Sequence, residues 1–258
     1  MSDRLEAYAT LAFVLGRTSS IRGAVTVTNL PSRSAPLLAR TVSSLQELSG
    51  GRVILGIGSG GMWDSIVKMG VPRLSPGAAV REMEEAITLV RALCGGGEPV
   101  TFDGEFYRVS GLDPSPVAAP LIWTGSNRPK SLAVTGRLAD GWVPMLGADW
   151  LSPVFREQRP LIDAAAVAAG REPAEIASIF NFGGLITRDP LSSTRDPEGR
   201  WIGGSVDQWV QEMSIGVREH GAAGFVYREP GDRSPSSAEA VARWAREIVP
   251  AVREAVAR

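Results

Sequence analysis

One cysteine and one histidine, Cys94 and His220, stand in 258 residues. A single thiol cannot close an intramolecular disulfide, and it argues against a Cys-based zinc or iron–sulfur site. Any catalytic triad would have to be built on His220. No apolar run reaches the roughly 18 residues needed to span a bilayer. The opening Ser2-Asp3-Arg4-Leu5-Glu6 sets acids beside the base, and no small-residue cleavage pattern follows Leu11-Ala12-Phe13-Val14-Leu15. No signal peptide is expected, and the setting is read as cytoplasmic and reducing. Neither sign of charge is in excess: 27 basic residues oppose 28 acidic ones, for a net −1. That disfavours nucleic acid and anionic membrane as partners. What the chain has in quantity is apolar residues, 44% against 21% charged, which is enough for a large core.

The hydrophobic period alternates between strand and helix types. A helix over Leu5–Gly16 precedes a β-branched strand over Ile21–Thr28. The stripe Leu37, Leu38, Val42, Leu45, Leu48 predicts a helix over Ser34–Leu48, ended by Gly50-Gly51. Arg52–Gly58 is apolar on both faces, as buried parallel strands are. A glycine-rich loop runs through Met62, Trp63 and Asp64 to a helix over Pro76–Leu93. Val100–Val109 reads as a hairpin around Asp103-Gly104. Then come a strand (Leu121–Thr124), a helix (Pro129–Leu138), a strand (Trp142–Met145) and a helix (Pro153–Ala169). Ile176–Ile186 contains a strand, and Arg188–Arg200, polar and rich in turn formers, is expected to be a mobile loop. A helix (Val206–His220), a strand (Gly224–Tyr227) and a closing helix (Ser236–Val256) complete the chain. Six strand–helix pairs in alternation imply parallel strands with helices outside them, in one domain over residues 1–258.

Two loops on this frame suit a ligand. Gly58-Ser59-Gly60-Gly61 follows a strand; its glycines let backbone approach a flat ring, and its N–H groups can meet a ring edge or a phosphate. A plain tight turn is the alternative. The spacing Gly56-x-Gly58-x-x-Gly61 imitates a dinucleotide fingerprint, but no acidic residue closes a following strand at the right distance. Gly125-Ser126-Asn127-Arg128 leads into the helix at Pro129. Its free N–H groups and the Arg128 charge suit an anion, with Gly147 from the next loop as a further contact. Asn127 as a mere helix cap is the alternative. Arg33 is read either as a solvated side chain or as a contact to phosphate or an acidic substrate. His220, just before Gly221, reads as a surface or helix-ending residue. Of seven tryptophans, Trp123 and Trp142 near strand ends are candidates to line a pocket, and Trp209 and Trp244 are read as packing residues.

Four stretches in order carry a resemblance: Val25-Thr26-Val27-Thr28-Asn29, Leu48 through Gly60, Phe102-Asp103-Gly104-Glu105-Phe106-Tyr107, and Gly136-Arg137-Leu138-Ala139-Asp140-Gly141-Trp142. Together they resemble the luciferase-like flavin- or deazaflavin-dependent oxidoreductases, most clearly from about Ile21 to Met145. The resemblance implies an α/β fold of the (β/α)8 TIM-barrel type, shortened at its N-terminus by about two βα units, with the active site at the C-terminal strand ends. It implies FMN or coenzyme F420 as cofactor, a small-molecule substrate and a homodimer. By the resemblance, Val27, Thr28 and Asn29 lie against the central ring, in a region where relatives often carry a non-prolyl cis peptide, or else form an ordinary strand end. Ser59, Gly60 and Asp64 fall where deazaflavin-dependent relatives contact the cofactor. Gly125, Ser126, Asn127 and Gly147 are the phosphate candidates.

Two departures qualify the chemistry. Related sugar dehydrogenases have an acidic residue where this chain has Gly61, and a lysine where it has Ala148. That argues against alcohol oxidation by proton abstraction and leaves hydride transfer or monooxygenation, in which the cofactor carries the chemistry. A non-catalytic flavin-binding relic of the same barrel is the rival. The loops over Pro72–Pro76 and Arg188–Arg200 are the expected sites of substrate selection.

Overall fold

A computed structural model describes residues 5–61, 63–145, 147–230 and 237–257. Met62 and Ser236, drawn into a loop and a helix by the sequence pattern, lie outside them. The order is α1 (Ala7–Arg17), β1 (Gly23–Asn29), α2 (Ala35–Ser49), β2 (Val53–Gly58), α3 (Trp63–Val67), α4 (Pro76–Ala92), the hairpin β3 (Val100–Asp103) and β4 (Arg108–Leu112), β5 (Leu121–Thr124), α5 (Pro129–Leu138), β6 (Gly141–Trp142), α6 (Pro153–Ala168), β7 (Ala177–Gly183), β8 (Leu185–Ile186), β9 (Gly203–Gly204), α7 (Val206–His220), β10 (Ala222–Arg228), α8 (Ala238–Arg243) and, after a π-helical turn at Trp244–Ile248, α9 (Val249–Ala257). These elements divide into two units: Met1–Trp142 with Ile162–Ile176, and Val143–Leu161 with Ala177–Arg258.

In the first unit the strands run β1–β2–β5–β6, each parallel to its neighbour. β2 is buried along its whole length, as its two-sided apolar pattern required. Helices begin and end where local chemistry dictates. Ser75 caps α4 by accepting the Ala78 N–H at 3.3 Å, followed by Pro76, whose missing amide costs nothing in the first turn. α2 ends at Gly50, with φ 67°, a left-handed turn that side-chain-bearing residues avoid. The inward stripes Leu38, Val42, Leu45 of α2 and Met83, Ile87, Val90 of α4 meet Val53, Leu55, Ile57 and Ile122 in one aliphatic core.

Two of the recurring sequence stretches fasten this unit together. In Phe102–Tyr107, the Glu85 carboxylate on α4 accepts the backbone N–H groups of Glu105 (2.7 Å), Phe106 (2.9 Å) and Tyr107 (3.2 Å). Arg81 grips Glu105 through both nitrogens at 2.8 Å. Beneath them Glu82 is buried beside the Tyr107 hydroxyl, which donates at 3.1 Å. Burial raises the Glu82 carboxyl, against that hydrogen bond. In Gly136–Trp142, Asp140 accepts from the Ile122 N–H at 2.7 Å and from Arg91 at 2.8 Å, fixing the start of β5. A methyl at Gly136 would meet the Ile162 carbonyl at 2.3 Å, so α5 can approach the chain there only as glycine.

In the second unit, β7 and β10 are parallel, and β8 pairs with β9. Its core is aromatic: Trp150, Phe180, Phe182, Trp201 and Trp209, with Phe225, Tyr227 and Trp244 packed on them. Trp209 and Trp244 are packing residues, as expected, with edge-to-face rings 5.5 Å apart. Ser205 and Gln208 form a reciprocal cap at the start of α7. His220 is its exposed last residue, stacked near Trp150 before the left-handed Gly221.

Three expectations need correction. The strand over Trp142–Met145 shrinks to Gly141–Trp142, because Pro144 has no amide to give a ladder. The closing helix is interrupted at Trp244–Ile248; Pro250 withdraws the amide that would donate to the Arg246 carbonyl. The segment Arg188–Arg200 is tied down. Its Arg195 reaches Asp149 at 2.7 Å, the Gly199 carbonyl at 2.7 Å and the Glu212 carboxylate, and the Gln208 amide both donates to and accepts from Leu191.

Candidate functional site

Parallel pairing puts the C-terminal ends of β1, β2 and β5 along one edge of the first unit, and the loops that follow carry most of the candidate residues. The Thr26–Val27 peptide at the end of β1 is cis. Pairing with β2 shifts register between Val25 and Thr28. Val27 spreads over both neighbouring loops: a methyl at Gly58 would lie 2.7 Å from its Cγ2, and one at Gly125 would lie 3.3 Å from each of its methyl groups. Glycine is therefore what lets the ends of β2 and β5 close around this valine. Val27, Gly58 and Gly125 are thus brought together from three strands.

Asn29 clasps the glycine loop: the Gly61 N–H donates to its Oδ1 at 3.3 Å. Thr28 turns its hydroxyl inward to Tyr8, 2.5 Å away. Gly60 is left-handed, φ 95°, and lies against the Trp63 indole, which a methyl would reach at 2.8 Å. The loop after β5 is braced from below. Ser126 is buried, with its hydroxyl 2.9 Å from Thr135 Oγ1, which in turn is 2.7 Å from Thr124 Oγ1. The Trp142 indole N–H donates to the Ser126 carbonyl at 2.9 Å. Trp142 is wholly buried, so it holds this loop in place and does not line a pocket.

Ser59, Gly60 and Asn127 line one cavity of about 530 Å³, together with Trp63, Gly77, Val80, Arg128 and Lys130. The start of α5 faces it, with Ser131 capping the Arg128 amide at 3.3 Å. Among the described residues, no aspartate, glutamate, histidine or cysteine lines it. An electropositive, mostly apolar recess beside two glycine turns can bind an anion and a flat ring, and among the described residues it presents no carboxylate or imidazole to move a proton.

Not every candidate joins it. Asp64 is exposed and paired with Arg73. Arg33 pairs with Glu6 at 3.1 Å and covers the Tyr8 ring at 4.8 Å, so it braces α1. Gly147 belongs to the second unit, in a turn closed by the Ala148 N–H on the Met145 carbonyl at 2.9 Å. Sequence reasoning missed Trp63, Gly77, Val80 and Lys130. The Ser75-Pro76 helix start was their one visible signal, since it aims a second helix at the same edge.

The sequence model of the luciferase-like monooxygenase family matches residues 1–243. The chain belongs to that family. Among its relatives is the 5,10-methylenetetrahydromethanopterin reductase of Methanolobus tindarius, 33% identical over 66% of this chain and 50% of that protein. The F420-dependent hydroxymycolic acid dehydrogenase of Mycobacterium tuberculosis is 30% identical over 78% of this chain and 55% of that protein. This luciferase-like chain thus spans about half the length of the curated relatives it matches. The solved coenzyme F420-dependent tetrahydromethanopterin reductase from Methanopyrus kandleri superposes with a TM-score of 0.77, at 18% identity, over 96% of this chain and 88% of that one. That likeness shows the fold, the α/β barrel type expected from the sequence. No helix among the described residues is long and apolar enough to cross a membrane.

Proposed function

We propose that this luciferase-like chain is an oxidoreductase that uses a reduced flavin or deazaflavin, FMN or coenzyme F420, for hydride transfer to, or monooxygenation of, a small organic substrate. One observation carries it: three strand ends closed around Val27, beside a recess of about 530 Å³ that opens between two glycine turns and a cationic helix start.

The residues fit the group. Val27, Thr28 and Asn29 form the ledge for a planar ring. Gly60 and Gly125, with no side chains, let Trp63 and Val27 pack against the two turns, and Ser59 and Asn127 offer polar contacts from the cavity wall. Ser126 serves through its backbone, its hydroxyl being engaged below. Asp64, exposed and paired with Arg73, stands outside the cavity wall. Arg128 and the first amides of α5 receive the phosphate. The cofactor, when bound, supplies the hydride or the reactivity toward oxygen; the chain binds, orients and excludes water. A cavity wall with no carboxylate or imidazole among the described residues fits such a division of labour, and it fits the non-catalytic relic reading equally, so turnover separates the two.

The test is a fluorescence titration with FMN and with F420, followed by oxidation of the reduced cofactor by candidate substrates. Binding with turnover supports the enzyme, and binding without turnover of any reduced cofactor supports the relic. The double variant Ser59→Phe, Gly60→Val is expected to keep its circular dichroism and lose cofactor binding; unchanged affinity would remove the site. We also infer a cytoplasmic homodimer, which light scattering of the purified protein checks at twice the 27.4 kDa chain mass.

A further inference from the structure

The second unit has a recess of its own. A cavity of about 380 Å³ runs along α7 and is bounded on its other side by Ala255 of α9. From α7 it is lined by Asp207, Val210, Gln211, Ser214, Ile215 and Arg218. These residues follow the spacing i, i+3, i+4, i+7, i+8, i+11, so they share one face of the helix. α7 thus has two working faces: Trp209 and Met213 enter the aromatic core, and this one borders the cavity.

The second face is incomplete by itself. Ser214 is 8% exposed, and its hydroxyl has no hydrogen-bond partner among the described residues. A buried hydroxyl left in that state costs free energy until another polar group meets it. Val210 and Ile215 are only half-buried. Asp207, in the first turn, and Arg218, in the last, are exposed and make no ion pair among the described residues. The Arg218 guanidinium donates to the Ala255 carbonyl and has donors to spare.

The face is also symmetric in its chemistry. Asp207 and Arg218, Val210 and Ile215, and Gln211 and Ser214 are three pairs with one midpoint, between Glu212 and Met213. A two-fold axis through that midpoint lays a second α7 antiparallel on the first and sets the members of each pair opposite one another, twice over. A single register then joins acid to base, apolar to apolar and amide to hydroxyl. Glu219, which also borders the cavity, faces the start of the second helix, where the macrodipole favours a carboxylate.

We propose that this face of α7 is the contact between two copies of the chain, with Gln211 of the partner subunit supplying the hydrogen bond that Ser214 lacks. The inference rests on the homodimer reading above and gives that dimer its surface. A contact one 15-residue helix long, about 22 Å, is at the small end of specific interfaces, so the dimer should dissociate on dilution.

Sedimentation velocity tests it. The wild-type chain is expected to pass from monomer to dimer over roughly 1–200 µM, and less readily in about 0.5 M salt. Asp207→Arg and Arg218→Asp should each weaken self-association at least about tenfold, because each sets like charges opposite one another at two places. Thermal melting checks that both variants are folded. Mixed in equal amounts, the two should pair again, since one chain then carries two bases and the other two acids. The double variant Asp207→Arg, Arg218→Asp should likewise recover, and a helix merely damaged by substitution would recover in neither case. A wild-type dimer that the single variants leave intact, or a mixture that stays monomeric, would overturn the α7 contact while the homodimer reading stands. A wild-type chain that is monomeric throughout would take down both.

Discussion

The two units solve the same problem, packing helices on parallel strands, with different materials. The first fills its core with Leu, Ile, Val and Ala and spends its polar residues at strand ends, where Asn29, Ser126, Asp140 and Trp142 each hold a loop or a strand end. The second fills its core with interlocked rings and sets its polar residues along one long segment, held by Arg195 with Asp149 and Glu212 and by Gln208 on Leu191. Aliphatic side chains let strands come close enough for glycine-lined turns to assemble a recess. Aromatic rings fill the volume of the second core with edge-to-face and stacked contacts. Location of hydrogen bonds, more than their number, marks where each unit has fixed its backbone.

The comparison can be broken at its most expensive point. Arg195→Met leaves two carboxylates without their cation, and Asp149 is only 6% exposed. A loss of about 3–5 kcal/mol is expected in urea unfolding followed by tryptophan fluorescence. A loss below about 1 kcal/mol would mean that the cluster is not what fastens the segment. Adding Asp149→Asn and Glu212→Gln should return much of the stability, since the buried charges leave with their partner.

In the first unit the corresponding weak point is a glycine. A methyl at Gly56 would lie 2.1 Å from the Val25 carbonyl oxygen, so β1 would have to move. Gly56→Ala is expected to cost about 2–3 kcal/mol by overpacking, whereas Gly16→Ala, in α1 with open space around it, should gain about 0.5 kcal/mol. Equal effects at both positions would show that close strand approach does not shape this unit.

A milder change tests the loop brace. Trp142→Phe removes the indole donor from the Ser126 carbonyl and should cost about 1 kcal/mol in a thermal melt. It should also weaken cofactor binding several-fold, the readout that a purely structural tryptophan would not move.

The smallest effect depends on pH. Burial raises the Glu82 carboxyl above its unfolded value, so the folded chain holds that proton more tightly than the unfolded one. Its contribution is intact at acid pH, below the unfolded value of 4.5, and is lost as pH rises through the raised one. Glu82→Gln should therefore match the wild type near pH 4 and become slightly the more stable of the two as pH climbs. A difference that narrows with rising pH would contradict the burial.

Most of the fold was legible because it is periodic. The bounds of β5, α5 and α7 follow from the apolar stripes and from Pro129, Ser205 and Gly221, each a local stop or start signal. The π-turn before Pro250 was not legible, since the proline's effect falls several residues upstream. The ordered segment Arg188–Arg200 was misjudged for another reason. Its composition is that of a loop, and its order comes from Arg195 meeting Asp149 and Glu212, partners 46 and 17 residues away. The candidate recess was legible in the Ser59-Gly60 turn and in Arg128, which declare themselves by strand-then-helix context and line one cavity. Its clasp was not: Asn29 and Gly61 are 32 residues apart, and nothing in either neighbourhood names the other. Motif resemblance pointed at Phe102–Tyr107 and Gly136–Trp142 without saying what they do; the structure makes them fasteners of a hairpin and a strand.

Thr135 has one hydroxyl proton and three oxygen neighbours within 3.0 Å: Ser126 Oγ, Thr124 Oγ1 and the Ser131 carbonyl. The turn after β5 is thus wired to the middle of the helix that follows it. Anyone grafting Gly125–Arg128 onto another scaffold would have to transplant Thr135 and Trp142 as well, for the four-residue turn is only the visible tip of a module some 18 residues long.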